Sequence, residues 1–153
     1  MHSFFLALHS WNRWVLLVTA ILLVVKSLAA FIQQKPYASS DRQLALVLFW
    51  SLNIQLLIGL VLLGVSPFMQ AAYGDMSATM SNAATRFYLA EHPVMAILAI
   101  GAGHFGIARA KKSADDRAKH RFILIGVGLC VVLLLAVIPW PQLPYGRPLF
   151  WGL

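Results

Sequence analysis

The sequence predicts an all-α integral membrane protein, a four-helix bundle with both termini on the outer (periplasmic) side, and three observations carry that prediction. Charged residues are scarce in four long stretches, residues 11–31, 44–66, 88–108 and 122–140, with only Arg13, Lys26 and Glu91 inside them; each stretch is near the ~20 residues that a spanning helix needs. The composition is 60% hydrophobic and 11% charged with a mean hydropathy of +0.76, which leaves too little polar surface for a soluble domain of 153 residues. The basic residues are placed unevenly: nine of the twelve flank the first and third connections, which the positive-inside rule makes cytoplasmic.

Four spans consume most of the chain, so the remainder cannot bury a core of its own. A single transmembrane domain over residues 1–153 is expected, with helices at about 8–33, 43–66, 84–110 and 120–140. A net charge of +7 would suggest nucleic acid in a soluble protein. Here Lys26, Lys35 and Arg42, then Arg109, Lys111, Lys112, Arg117, Lys119 and Arg121, read as topology signals and secondarily as a patch for anionic lipid, with no nucleic-acid partner. The first eight residues lack a basic region, so no cleaved signal is expected. Cys130, the sole cysteine, sits in an apolar run and reads as a small core residue.

In the first helix Arg13 and Lys26 are thirteen residues apart, about 20 Å, so each can snorkel toward its own interface, with His9 at the outer one. Gln33, Gln34, Lys35 and Pro36 end this helix, and Ser39, Ser40 and Asp41 offer caps for the next. The second helix is interrupted by Asn53 and Gln55, amides that must face other helices at that depth. The loop at 67–84 is long enough to lie over the outer mouth as a short interfacial helix. The third helix has a cap at Ser81 or Asn82, and Pro93 inside it favours a kink. Its inner half carries Ala99, Gly101, Ala102, Gly103 and Gly106, small residues that admit either another helix or a flat cofactor. After the fourth helix, Trp140, Tyr145, Phe150 and Trp151 read as an interfacial aromatic belt.

Intramembrane histidines are functional candidates, because ionisable groups are costly in lipid. His9 and His92 share a depth on different helices, and such a pair can supply axial nitrogens to the two faces of a haem iron. Arg13, one turn from His9, and Arg86 at the entrance to the third helix could neutralise haem propionates, and Glu91 could orient an imidazole or handle a proton. The plainer alternative leaves both histidines hydrogen-bonded to lipid headgroups and Arg13 merely snorkelling. His104 lies twelve residues past His92, rotated about 120° on a straight helix, and reads as a core polar residue, an alternative ligand or part of an inner site with His120. Flanked by Lys119 and Arg121, His120 is expected to face solvent, and His2 to be terminal and mobile. No nucleophile triad, phosphate loop or zinc spacing occurs, so no independent catalytic activity is expected.

Several motifs in order, His9-Ser10-x-x-Arg13-Trp14, Ile54-Gln55-Leu56-Leu57-Ile58-Gly59-Leu60, Arg86-Phe87 before Glu91-His92, Ala110-Lys111-Lys112-Ser113-Ala114-Asp115 and Ile138-Pro139-Trp140-Pro141, resemble a family of small four-helix bacterial membrane proteins. That family is labelled cytochrome b and is frequent in the Bacteroidetes. The resemblance implies a b-type haem held by His9 and His92, and an electron-transfer subunit of a respiratory or photosynthetic chain in the bacterial inner membrane. It also implies other membrane subunits, a quinone or a cytochrome c as partners. The chain departs from the family at Asn53, where members carry a histidine; if that histidine is a ligand, this chain holds fewer haems or none. The alternative is an accessory subunit of a larger bioenergetic complex without its own haem, its histidines binding lipid, chlorophyll or nothing.

Overall fold

The computed structural model describes residues 1–150, which are helical throughout apart from short turns and a C-terminal segment. In chain order the helices are α1 (His2–Ile32), α2 (Ser39–Val65), α3 (Pro67–Gly74), α4 (Met76–Ser81), α5 (Ala83–Arg86), a π-helical turn (Phe87–Glu91), α6 (His92–Lys112) and α7 (Asp116–Val137). Four of these units, α1, α2, the continuous Ala83–Lys112 helix and α7, are long and apolar enough to cross a membrane, and the chain is a multi-pass membrane protein. At 31 residues, about 46 Å, α1 is longer than a bilayer core and must tilt or protrude.

The helix boundaries follow local chemistry. Gln34, at φ 53°, takes the left-handed conformation that stops α1, and the Lys35 N–H reaches back to the Ala30 carbonyl at 2.9 Å. The N-cap of α2 is Ala38 rather than a serine: Asp41 at the third helical position accepts the Ala38 N–H at 2.7 Å, the half of a capping box that a carboxylate can make alone. Asn82 caps α5 as expected, accepting from Ala84 and Thr85. Asp115 caps α7, which therefore starts at Asp116, a full turn before residue 120.

The π turn answers Pro93. Proline has no N–H to donate and crowds the carbonyl four residues back; the ladder absorbs this with one wider turn, closed by the His92 N–H on the Phe87 carbonyl.

The spans form a four-cornered bundle in which α1 neighbours α2 and α7, and α6 neighbours α7. Contact between α2 and α6 is sparser, and α1 faces α6 across the diagonal. The tightest crossing is α6 on α7, where a Cβ on Gly126 would collide with the Gly106 backbone. Gly106 thus serves packing within the bundle, as Gly103 also does against Cys130 and Leu52, whereas Gly101 meets nothing within 4 Å. Leu16, Leu23, Leu48, Leu52, Ile123 and Val127 fill the core, while Val18, Leu22, Leu57, Leu98 and Val132 face outward as a lipid-facing surface does.

The two turns at the basic end interlock. Asp41, 1% exposed, pairs with Lys26 at 2.8 Å, and Lys26 also bonds Ser40. His120 is fully buried, its ring 5.1 Å from that of Tyr37, which corrects the expectation that it faces solvent. Successive residues diverge by about 100° on a helix, so Lys119 and Arg121 can point outward while His120 points in. At the opposite end α3 and the segment after α7 cover the mouth, with the C-terminal segment lying against the first half of α1. Trp151 lies outside the described residues.

Candidate functional site

A cavity of about 260 Å³ opens at the end of the bundle that carries His2 and the segment around Pro148. Its walls are α1, α2, α6 and the last turn of α7, and its rim is formed by α3 and the C-terminal segment. His9 and His92 face each other across it, their ring centres 6.2 Å apart and their planes inclined by 54°. Being diagonal neighbours, α1 and α6 do not pack directly here, and the two imidazoles span the gap between them.

Each ring is placed differently. The last carbonyls of a helix lack intrahelical partners, and that of Val137 accepts the Nδ1–H of His92 at 3.1 Å. This bond fixes the tautomer and leaves Nε2 of His92 as the basic nitrogen. His9 is held through its backbone: Gln55 donates to the His9 carbonyl at 3.1 Å and accepts from Asn12 at 2.8 Å, locking α1 to α2. Its ring edge lies beside Gly59, and its Nδ1 is buried without a partner among the described residues.

The other sequence candidates separate. Arg13 lines the cavity and donates to the Leu149 carbonyl at 2.5 Å. Arg86 does not line it; its Nε is paired with Glu91 at 2.8 Å and it also bonds the Met80 carbonyl. Glu91 neighbours His92 in sequence but faces outward, so Val137 and not Glu91 orients the imidazole. His104 packs edge-on against Phe49 at 4.9 Å, away from the cavity, and Asn53 bonds the Phe49 carbonyl of its own helix.

Two cavity residues escaped the sequence reading. His2 is the first residue of α1 and lines the mouth, which corrects its reading as a mobile terminal residue; it stands seven residues, two helical turns, before His9. Arg147 enters from the C-terminal segment. The tight turn that delivers it needs Gly146, where a Cβ would collide with the carbonyls of Trp140 and Pro141. Tyr145 stacks on Phe87 at 3.8 Å, and Arg147 donates to the Tyr88 hydroxyl at 3.2 Å. Arg13, Arg147, His2, His9, His92 and Gln55 are thus set in otherwise mainly apolar walls, and among the described residues no acidic one lines the cavity.

Two facing imidazoles in a low-dielectric cavity can share a metal ion, and the cationic rim can take an anion. The chain matches no known protein family, no curated protein and no solved structure.

Proposed function

We propose that this chain is an electron-transfer membrane subunit that binds one b-type haem, with His9 and His92 as axial ligands and Arg13 beside a propionate. The observation that carries this reading is the His9–His92 pair. A metal between two imidazole nitrogens, at the roughly 2 Å bond length usual for such ligands, sets ring centres about 6 Å apart, against the 6.2 Å found.

The surroundings support the fit. His92 already has the outer hydrogen bond that ligating histidines use, and Nδ1 of His9 has no polar partner among the described residues. A buried polar atom left unpaired costs roughly 1–3 kcal/mol, so the His9 ring suits a ligand that the chain does not itself provide.

A bound haem supplies one-electron transfer. The protein holds both imidazoles at a fixed separation, keeps water out with apolar walls and offers positive charge at the mouth. By the positive-inside rule the basic turns face the cytoplasm and the cavity faces outward, in a bacterial inner membrane, where a quinone or cytochrome c would be the redox partner.

The test is the visible spectrum of the protein purified from membranes with its native cofactors, oxidised and then reduced with dithionite. Sharp reduced bands that disappear in His9→Ala and His92→Ala are expected. Folded wild-type protein without them would overturn the haem reading and favour an accessory subunit of a larger complex.

A further inference from the structure

Arg13 and Arg147 present an unusual charge arrangement. Both line a mainly apolar cavity, they come from opposite ends of the described chain, and neither meets a carboxylate among the described residues. The ion pairs there are elsewhere: Lys26 with Asp41, Arg86 with Glu91, and Lys119 with Asp116.

Arg13 rests on the Leu149 carbonyl, which also receives Ser10 at 3.2 Å and Trp14 at 3.1 Å, three donors for an oxygen with two lone pairs. Its Nε is buried with no partner. Arg147 bonds the Tyr88 hydroxyl and lies over the rings of Phe68 and Tyr88, 5.4 and 5.0 Å from their centres. Tyr88 lines the same cavity as both guanidinium groups. Most of the five donors on each remain available, and two uncompensated charges in such walls are stabilised by an anionic ligand.

We propose that Arg13 and Arg147 form a two-point clamp for a pair of carboxylates, so that the cavity selects a tetrapyrrole by its two free acid groups. This rests on the haem reading and assigns to Arg147 a specificity role alongside Arg13. Arg13 exchanges its crowded carbonyl for one carboxylate, and Arg147 holds the other while its ring contacts keep it in place.

The experiment titrates detergent-solubilised apoprotein with iron protoporphyrin and, separately, with its dimethyl ester, reading binding by absorption. The free acid is expected to bind at least about tenfold more tightly than the ester, as loss of charge-assisted bonds implies. Arg147→Gln, checked for folding by circular dichroism and gel filtration, should lose most of that preference, and Arg147→Lys should restore part of it. Should the variant fail to fold, the wild-type comparison of acid with ester still decides. Equal binding of both porphyrins by wild type overturns the clamp and leaves the haem reading standing. Binding of neither overturns both.

Discussion

Nδ1 of His92 lies 3.1 Å from the carbonyl oxygen of Val137, so the last turn of α7 orients an imidazole carried by α6. One side chain thereby satisfies a helix-end acceptor and holds its ring 6.2 Å, centre to centre, from that of a second histidine. The two roles are separable. In His92→Asn the amide nitrogen stands where Nδ1 stood and keeps the bond to Val137. Its melting temperature in detergent should stay near wild type, whereas His92→Ala should lose about 1 kcal/mol. Under the haem proposal both should lack the reduced haem bands, and an Asn variant as unstable as Ala would show the bond to be unimportant.

The Gly106–Gly126 crossing makes a paired prediction. A methyl group at Gly126 meets the Gly106 backbone, while one at Gly128, two residues on, meets nothing within 4 Å. Gly126→Ala should destabilise the bundle by on the order of 1–3 kcal/mol, the usual cost of overpacking. Gly128→Ala should be neutral or slightly stabilising, since alanine is the better helix former. Detergent thermal melts of the two variants make the comparison.

Gln55 ties Asn12 to the His9 carbonyl through two bonds at 2.8 and 3.1 Å. Gln55→Leu keeps the bulk and removes both. A loss of roughly 1–2 kcal/mol is expected, the range for polar contacts between membrane helices. If the bonds also set the position of His9, haem affinity should fall in the same variant, measured by absorption titration.

Tyr37 gives a pH signature at the basic end. Burial, and then the Asp41 carboxylate, push its phenol up from 10.0 to about 12, with Arg42 partly opposing. The folded state therefore favours the neutral phenol. Its contribution to stability is complete below pH 10.0 and declines as pH rises through about 12. The stability difference between wild type and Tyr37→Phe should shrink across that window, followed by alkaline unfolding in detergent.

What could be read from the amino acids alone tracks how strongly the surroundings constrain them. Lipid demands a long uncharged run, so all four spans announce themselves. Asn82 sits where a helix start needs an acceptor and caps α5, whereas the Asp115 cap, which starts α7 at Asp116 instead of about residue 120, went unread. The pairing of His9 with His92 was accessible because depth along a helix is a simple count. Helix faces were harder: His120 lies between two cations yet is sealed inside, and adjacent residues on a helix say nothing about each other's direction. Arg147 had no periodicity to mark it. Its place depends on a glycine turn and on Tyr145 finding Phe87, contacts between segments 58 residues apart. Arg86 was drawn away by Glu91, a local partner that depth alone does not reveal.

The cavity is assembled from both extremes of the described chain. His2, His9 and Arg13 belong to α1, whereas the Val137 carbonyl, Arg147 and Leu149 are synthesised only after all four described spans have begun. During biosynthesis the first imidazole therefore enters the bilayer long before its counterpart and their supports exist. A ribosome stalled before residue 137 would leave a three-wall groove open to lipid. Under the haem proposal, loading would have to follow synthesis of α7, and termination before residue 137 would remove both the carbonyl that accepts from His92 and the Arg147 guanidinium.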